Sequence, residues 1–599
     1  MARRRSWLWI LFGFLFVVVL FSSAIWLLNR IFLGASPKLD ANNVLVVQLA
    51  GRVVERPSVF LGGQALGPLS VREIDRTLRR AAGDPRISGV VLRVGPLLTG
   101  FAKAQEIRDA IHAFRQSDKP VVAILEIGTV LDVYVASAAD TVVQVPTGML
   151  LLGLVSRSQY YRELLDKLGV EFEVFHTGPY KTAMNPFTET GMNPREREAI
   201  ESLLDSIYEQ LLTAISTDRK LTVAQVAAAI DRGVLSASAA QQMGIVDELG
   251  FDDQLDSYLA SPGAKRVSVR DYWKASGASG LSWGRPVIAI VHVSGMIVPG
   301  EAGGDLFGGN LAGGDTVARH LRQARKDSSV KAIVLRIDSP GGAVTGSDVI
   351  WREAVLAAEG KPLIISMSDV AASGGYWIAT AGTRVLADGA TYTGSIGVVS
   401  SRINLQRTYD KIGITNVTIQ RGRNADIFGD TKPLTEEQRA ILTASIEESY
   451  RAFIAKVASA RGMDEEEVER LAAGRVWTGA QALEIGLVDE IGGLHAALRA
   501  ARAEAGLRPD TNVTVRVYPR ARGIFQQLIS LLSVASARGA VPLGVSSAPS
   551  PEPGIIDLVL DPTARNQRIE LLLRLAAAGH AWAIVRQPVP MPAGRLPWP

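Results

Sequence analysis

The sequence predicts an α/β protein built from two tandem, similar domains behind an N-terminal membrane helix. Three observations carry that reading: an uncharged apolar run near the amino terminus, a self-similarity offset by about 243 residues, and Val/Ile-rich runs alternating with helical patterns in each copy. A chain of 599 residues is too long for one ordinary core, so two or more domains are expected. At 47% hydrophobic and 21% charged, the composition is that of a folded chain.

At the amino terminus, "MARRRS" precedes "WLWILFGFLFVVVLFSSAIWLL", residues 7–28, which carries no charge. As a helix this run would span about 33 Å, enough to cross the hydrocarbon core of a bilayer. A cleavable signal peptide would have a shorter apolar core ending in an A-x-A site. Here Asn29 and Arg30 follow a long run, so an uncleaved anchor within residues 1–33 is expected. Arg3, Arg4 and Arg5 should stay cytoplasmic, which puts the bulk of the protein outside.

A first repeat is expected over 40–273, a linker over 274–285, a second repeat over 286–520 and a Pro-rich tail over 521–599. "NNVLVVQLAGRVV" (42–54) matches "PVIAIVHVSGMIV" (286–298), and "SGVVLRVGP" (88–96) matches "KAIVLRIDS" (331–339). "YVASAADTVV" (134–143) resembles "WIATAGTRVL" (377–386), "GIVDELG" (244–250) matches "GLVDEIG" (486–492), and "VSVRDY" (267–272) matches "VTVRVY" (513–518). Five pairs in one register indicate a duplicated domain of parallel β-α units. In the first repeat, Ile200, Leu203, Leu204, Ile207, Leu211, Leu212 and Ile215 follow helical spacing. That helix should start at Asn193, with Pro194 at its first position and Glu196 in a capping-box-like pattern; its counterpart should start at Thr435 with Gln438. The Gly/Ser-rich "KASGASGLSWG" (274–284) reads as linker, and "PGEAGGDLFGGNLAGGD" (299–315) as a loop beside a site. "SSAPSPEPG" and "RQPVPMPAGRLPWP" mark an extended tail to which no chemistry is assigned.

Composition also excludes. A net charge of +4 without a Lys/Arg block argues against nucleic-acid binding. The absence of cysteine excludes disulfides and thiol catalysis, and six scattered histidines without an HxxxH or HExxH pair predict no zinc site. No cofactor is expected.

Chemistry is sought where the copies differ. The second copy has "RIDSPGGAVTGSD" (336–348), whose Gly341 and Gly342 make a tight turn of the kind an oxyanion hole uses; the first has "RVGPLLTGFAK" (93–103). The second has Ser373 in "DVAASGGYWIATAG" (369–382), after a strand-like run and before Gly374 at a helix start; the first has Val130, Leu131 and Asp132 there. An ASGG serine is either a helix cap or a nucleophile. Conversely, matching Gly178 with Gly422 sets Lys181, in "FHTGPYKTAMNPFT" (175–188), opposite Ala425. This complementary loss suggests one shared Ser-Lys dyad. Lys181, made neutral by burial, would be the general base for Ser373, with Gly374 N–H and the Gly341/Gly342 turn facing the oxyanion. Ser395, in "TYTGSIGV" (391–398), either orients the lysine or stabilises a turn. His176 lies near Lys181 in sequence, but its counterpart is Gln420 and it reads as structural or surface.

Together, "IDSPGG", "DVAASGGYWIA", "TGSIGV", "GPYK" and "GRVWTGAQALEIGLVDEIGG" (474–493) resemble the signal peptide peptidase A (protease IV) family in its long duplicated form, over roughly residues 5–520. The resemblance implies ClpP/crotonase-like domains and a membrane-anchored Ser-Lys serine endopeptidase without cofactors. Carried over residue by residue, the nucleophile falls on Ser373, the base on Lys181, the serine near the lysine on Ser395 and the oxyanion glycines on Gly341 and Gly342. It further implies a homotetramer on the outer face of the bacterial cytoplasmic membrane, held in the bilayer through residues 7–28, that degrades signal-peptide remnants and other apolar peptides. Two rivals stand beside it. A crotonase-like acyl-CoA enzyme needs no Ser-Lys pair, and a non-catalytic membrane scaffold predicts Ser373 and Lys181 far apart.

Overall fold

The computed structural model describes residues 39–518, except 56–58, 62–63, 67, 260–262, 277–283, 302–310 and 510. The anchor read over residues 7–28, most of the linker, most of the Gly-rich loop and the tail lie outside the described residues. Among the described residues, no helix is long and apolar enough to cross a membrane.

Each repeat forms one largely parallel sheet, and the strand order is the same in both. In the first it runs Lys265–Ser268, Asn43–Arg52, Ile87–Leu98, Val121–Thr129, Thr141–Leu151 and Val234–Ser236, with Glu248–Leu249 also on Thr141–Leu151. In the second it runs Thr514–Tyr518, Val287–Ser294, Val330–Ser339, Leu363–Ala372, Tyr392–Gly394 and Val476–Thr478. Arg384–Ala387 joins Leu363–Ala372, and Glu490–Ile491 joins Arg384–Ala387. Where the first repeat has the single strand Thr141–Leu151, the second has two pieces. The last strand in each order is antiparallel.

These strands read as continuous apolar runs because helices cover both faces of a parallel sheet. Val90, Leu92, Val121 and Ala123 are almost fully buried, with Ile74, Leu78, Ile107 and Ile111 of the covering helices Val71–Ala82 and Phe101–Arg115 in the same core. Each such aliphatic side chain contributes roughly 1.5–3 kcal/mol by leaving water. The other face carries smaller cores, such as Val44, Val91, Val122 and Val143 with Leu255 and Leu259.

The paired long helices start where the sequence places them. Pro194–Arg219 and Glu436–Arg461 are both 26 residues long. Thr435 and Gln438 form a reciprocal capping box. At Asn193 the box is one-sided: its side chain accepts from Glu196 N at 2.8 Å, but the Glu196 carboxylate instead accepts from Tyr160 Oη at 2.9 Å and Asn185 Nδ2 at 2.8 Å. Of the seven helical apolar residues, Leu203, Ile207, Leu211, Leu212 and Ile215 are buried, while Ile200 and Leu204 are half-buried.

Among the contacts that join the repeats, two position the site. Glu171–His176 of the first repeat pairs antiparallel with Val399–Asn404 of the second, from Val399 opposite His176 to Asn404 opposite Glu171. The helix Phe101–Arg115 of the first repeat lies against the strand Leu363–Ala372 of the second, and its Lys103 Nζ bonds Asp369 at 2.6 Å and Asp338 at 2.7 Å.

Candidate active site

Ser373 lies where the strand Leu363–Ala372 turns into the helix Gly374–Ala379. Its backbone has φ 53° and ψ −119°, a conformation that costs a non-glycine residue of order 1–3 kcal/mol. Its hydroxyl makes no capping bond to the helix. That removes the helix-cap reading, and the contrast with the first repeat is direct: there Thr129 does cap the corresponding helix Val130–Ala136, with Asp132 closing the box.

The Ser373 hydroxyl instead meets Lys181. Lys181 Nζ is 3.1 Å from Ser373 Oγ, and 2.9 Å from both the carbonyl oxygen and the Oγ of Ser395. The scaffold alternative required these residues to be far apart; they touch, and they do so within one chain. The segment 177–181 follows the inter-repeat strand pair and threads between residues 395–398 and 473–475. Thr177 N donates to Val398 O at 3.0 Å, Tyr180 N to Ala473 O at 2.9 Å, and Gly474 N to Ile396 O at 3.0 Å. A Cβ at Gly474 would lie 2.5 Å from Lys181 N, so only glycine lets that backbone pass.

Lys181 is buried, and burial alone pushes its pKa down to about 7. A neutral amine has two N–H donors and one lone pair. Those three valences match the three contacts: the two N–H groups donate to Ser395 O and Oγ, and the lone pair accepts from the Ser373 hydroxyl. Ser395, at φ 50°, meets the amine through both its carbonyl and its hydroxyl.

The glycine turn abuts Ser373. A Cβ on Gly341 would sit 2.6 Å from Gly374 N and 2.8 Å from Ser373 Cβ. The expectation that both turn glycines present N–H groups needs one correction: Gly341 N is already donated to Ser339 Oγ at 3.1 Å. Gly341 instead anchors the turn, its carbonyl accepting from Ile297 N at 2.8 Å. Gly342 N lies close to Gly374, 3.3 Å from where a Gly374 Cβ would be. In the first repeat the corresponding turn is filled by the chain itself, the buried Asp132 carboxylate accepting from Leu97 N at 2.8 Å and Thr129 N at 2.7 Å.

Around the site sits a charged cluster that the sequence did not single out. Lys103 N and Gly100 N donate to Asp369 at 3.0 and 3.1 Å, and Arg336 holds Glu55 at 2.8 Å and also bonds Glu106. Burial opposes the Lys103 charge, but Asp338, Asp369 and Glu55 more than offset it and its pKa is raised. His176 is exposed, its Nδ1 3.2 Å from Gly178 O.

The site thus brings together a serine on a strained strand-to-helix turn, a buried amine with a lowered pKa on its hydroxyl and glycine backbone close by. Comparison with known proteins agrees. The model of peptidase family S49 matches residues 113–265 and 356–508, one block in each repeat. Protease 4 of Salmonella typhi is 34% identical over 531 residues, 83% of each chain. The chloroplastic serine protease SPPA of Arabidopsis thaliana is 34% identical over 490 residues, 80% of this chain and 71% of that one. Protease 4 of Haemophilus influenzae is 31% identical over 509 residues, 80% and 82% of the two chains. The chain belongs to peptidase family S49 and is a serine protease.

Proposed function

We propose that this protein is a membrane-anchored endopeptidase that cleaves apolar peptides, signal-peptide remnants among them, with a dyad of Ser373 and Lys181. The observation that carries the reading is the 3.1 Å contact between Lys181 Nζ and Ser373 Oγ, made by an amine whose pKa is lowered to about 7. Ser373 Oγ attacks the scissile carbonyl carbon while its proton passes to Lys181 Nζ. The oxyanion is held by Gly342 N–H and Gly374 N–H. The Lys181 ammonium then protonates the leaving amine, the C–N bond breaks and an ester on Ser373 remains. Water gives its proton to the again neutral Lys181 and attacks that ester; the bond between the acyl carbon and Ser373 Oγ then breaks, the carboxylic acid leaves and the Lys181 ammonium returns the proton to Ser373 Oγ.

Each repeat is read as a ClpP/crotonase-like domain. A solved ClpP1 mutant from Listeria monocytogenes covers 35% of this chain at 16% identity with a TM-score of 0.23, too low to carry that assignment. Residues 7–28 supply the anchor, and the three N-terminal arginines put the site on the outer face of the cytoplasmic membrane. A homotetramer is part of the same proposal. The test is hydrolysis of a synthetic signal peptide by the full chain in detergent, read by mass spectrometry. Ser373→Ala and Lys181→Ala should each lower the rate by about three orders of magnitude or more. A Lys181→Ala rate within tenfold of the parent would sink the dyad.

A further inference from the structure

The backbone that presents Lys181 is closed by a side chain outside the dyad. Residues 473–475 bond the chain on both sides of the amine. Ala473 O accepts from Tyr180 N, next to Lys181, at 2.9 Å, and Arg475 O accepts from Ser395 N at 2.7 Å. Gly394 O, one residue before Ser395, accepts from Ser373 N at 2.9 Å. Gly474 and Gly397 lie on the lysine stem, since an added Cβ would come 2.7 Å from Lys181 Cβ and 3.2 Å from its Cδ. A shift of residues 473–475 would therefore move the amine, Ser395 and Ser373 against one another and uncover the stem.

The Arg475 side chain ties this segment to the first repeat. Its Nη1 donates to Glu198 Oε1 at 2.7 Å, near the start of the helix Pro194–Arg219. Its guanidinium lies over two rings, 5.1 Å from the centre of Tyr180 and 4.5 Å from that of Trp477. Only a planar cation pairs and stacks in this way. Tyr180 Oη donates to the Glu198 carboxylate at 2.9 Å and accepts from Arg195 Nη1 at 3.0 Å. Trp477 in turn covers Gly394, where an added Cβ would come 2.9 Å from its Cδ1. At the equivalent positions of the opposite repeats stand Asn424 for Tyr180, Ala440 for Glu198, Gly233 for Arg475 and Leu235 for Trp477. That register follows from Gly178 and Gly422, from the two 26-residue helices and from the strands Val234–Ser236 and Val476–Thr478. Where the lysine gives way to Ala425 and the serine to Val130, all four members of the clasp are missing too.

We propose that Arg475 is a positioning residue: paired with Glu198 and stacked on Tyr180 and Trp477, it clamps residues 473–475 so that Lys181 stays on Ser373 and water stays off the amine. Arg475 bonds neither Lys181 nor Ser373 and acts through the backbone it fastens. This role rests on the dyad of Ser373 and Lys181 proposed for the site.

The test is the pH dependence of the full chain in detergent on a small ester substrate, for the parent, Arg475→Met and Glu198→Ala. The titratable groups on the elements around Lys181 are Tyr180 and His176 on its own segment, Arg475 on the facing one, and Asp369, Tyr376 and Tyr392 beside Ser373 and Ser395. None of them bonds the amine, and burial is the cause of its lowered pKa. Opening the clasp lets water in, so the Lys181 pKa should rise from about 7 toward the ordinary lysine value. In both variants the midpoint of kcat/KM should move up by about one unit or more, and kcat at pH 7 should fall about tenfold with KM changed less than about threefold. A charge effect would not do this, because losing the Glu198 carboxylate favours the neutral amine and would lower the midpoint. A midpoint that stays or falls in either variant overturns the proposal. Should Arg475→Met fail to fold, Glu198→Ala decides alone, its side chain being 43% exposed. A parent profile without a rise near pH 7 would instead remove the dyad, and the role of Arg475 with it.

Discussion

At the residue scale, the account turns on the charge of Lys181. The amine acts as a base only when neutral, and burial lowers its pKa to about 7. The group is protonated and inactive below that value and neutral above it, so kcat/KM should climb through pH 7 and level off above it, rising roughly tenfold between pH 6 and pH 8. A stopped assay on a small ester substrate checks this; a profile that is flat from pH 6 to pH 9 would show that no amine titrates in the reaction. Lys181 was legible in the sequence because it is a difference between two copies that otherwise match. The strain at Ser373 was not, since a φ of 53° leaves no mark on composition or periodicity. Nor could the sequence tell that the Gly341 N–H is taken, because that depends on where the Ser339 hydroxyl points.

At the scale of elements, the helix Phe101–Arg115 of the first repeat supports both active-site strands of the second. Lys103 bonds Asp338, three residues before Gly341, and Asp369, four residues before Ser373. In the sequence, "GFAKAQEIRDA" gives Lys103 the look of a solvated helix cation, and nothing local announces that acids 235 and 266 residues away converge on it. The strands and long helices were readable from apolar runs and caps, since those signals are local. This buried cluster is tertiary. Lys103→Met leaves carboxylates without their cation, a loss of about 3–5 kcal/mol for a buried pair. It should lower the melting temperature and kcat together, and Lys103→Arg should recover most of both. Unchanged melting in Lys103→Met would remove the helix from the support of the site.

At the scale of the whole molecule, duplication followed by complementary loss explains why the site needs both repeats. The first repeat keeps the lysine and fills its own glycine-turn position with Asp132, while the second keeps the serine and the open turn. The same strand pairing that brings them together sets the register in which Lys181 reaches Ser373. The central claim is that one chain holds one complete site made from both repeats. It is tested most directly by fluorophosphonate labelling of Ser373→Ala, of Lys181→Ala, and of the two co-expressed in one preparation, each beside the parent. The account predicts labelling of the parent at Ser373 and none in either variant, alone or together, because neither can lend its missing group across chains. Labelling of Lys181→Ala at the parent rate would contradict the dyad, and labelling restored only on co-expression would place the site between chains.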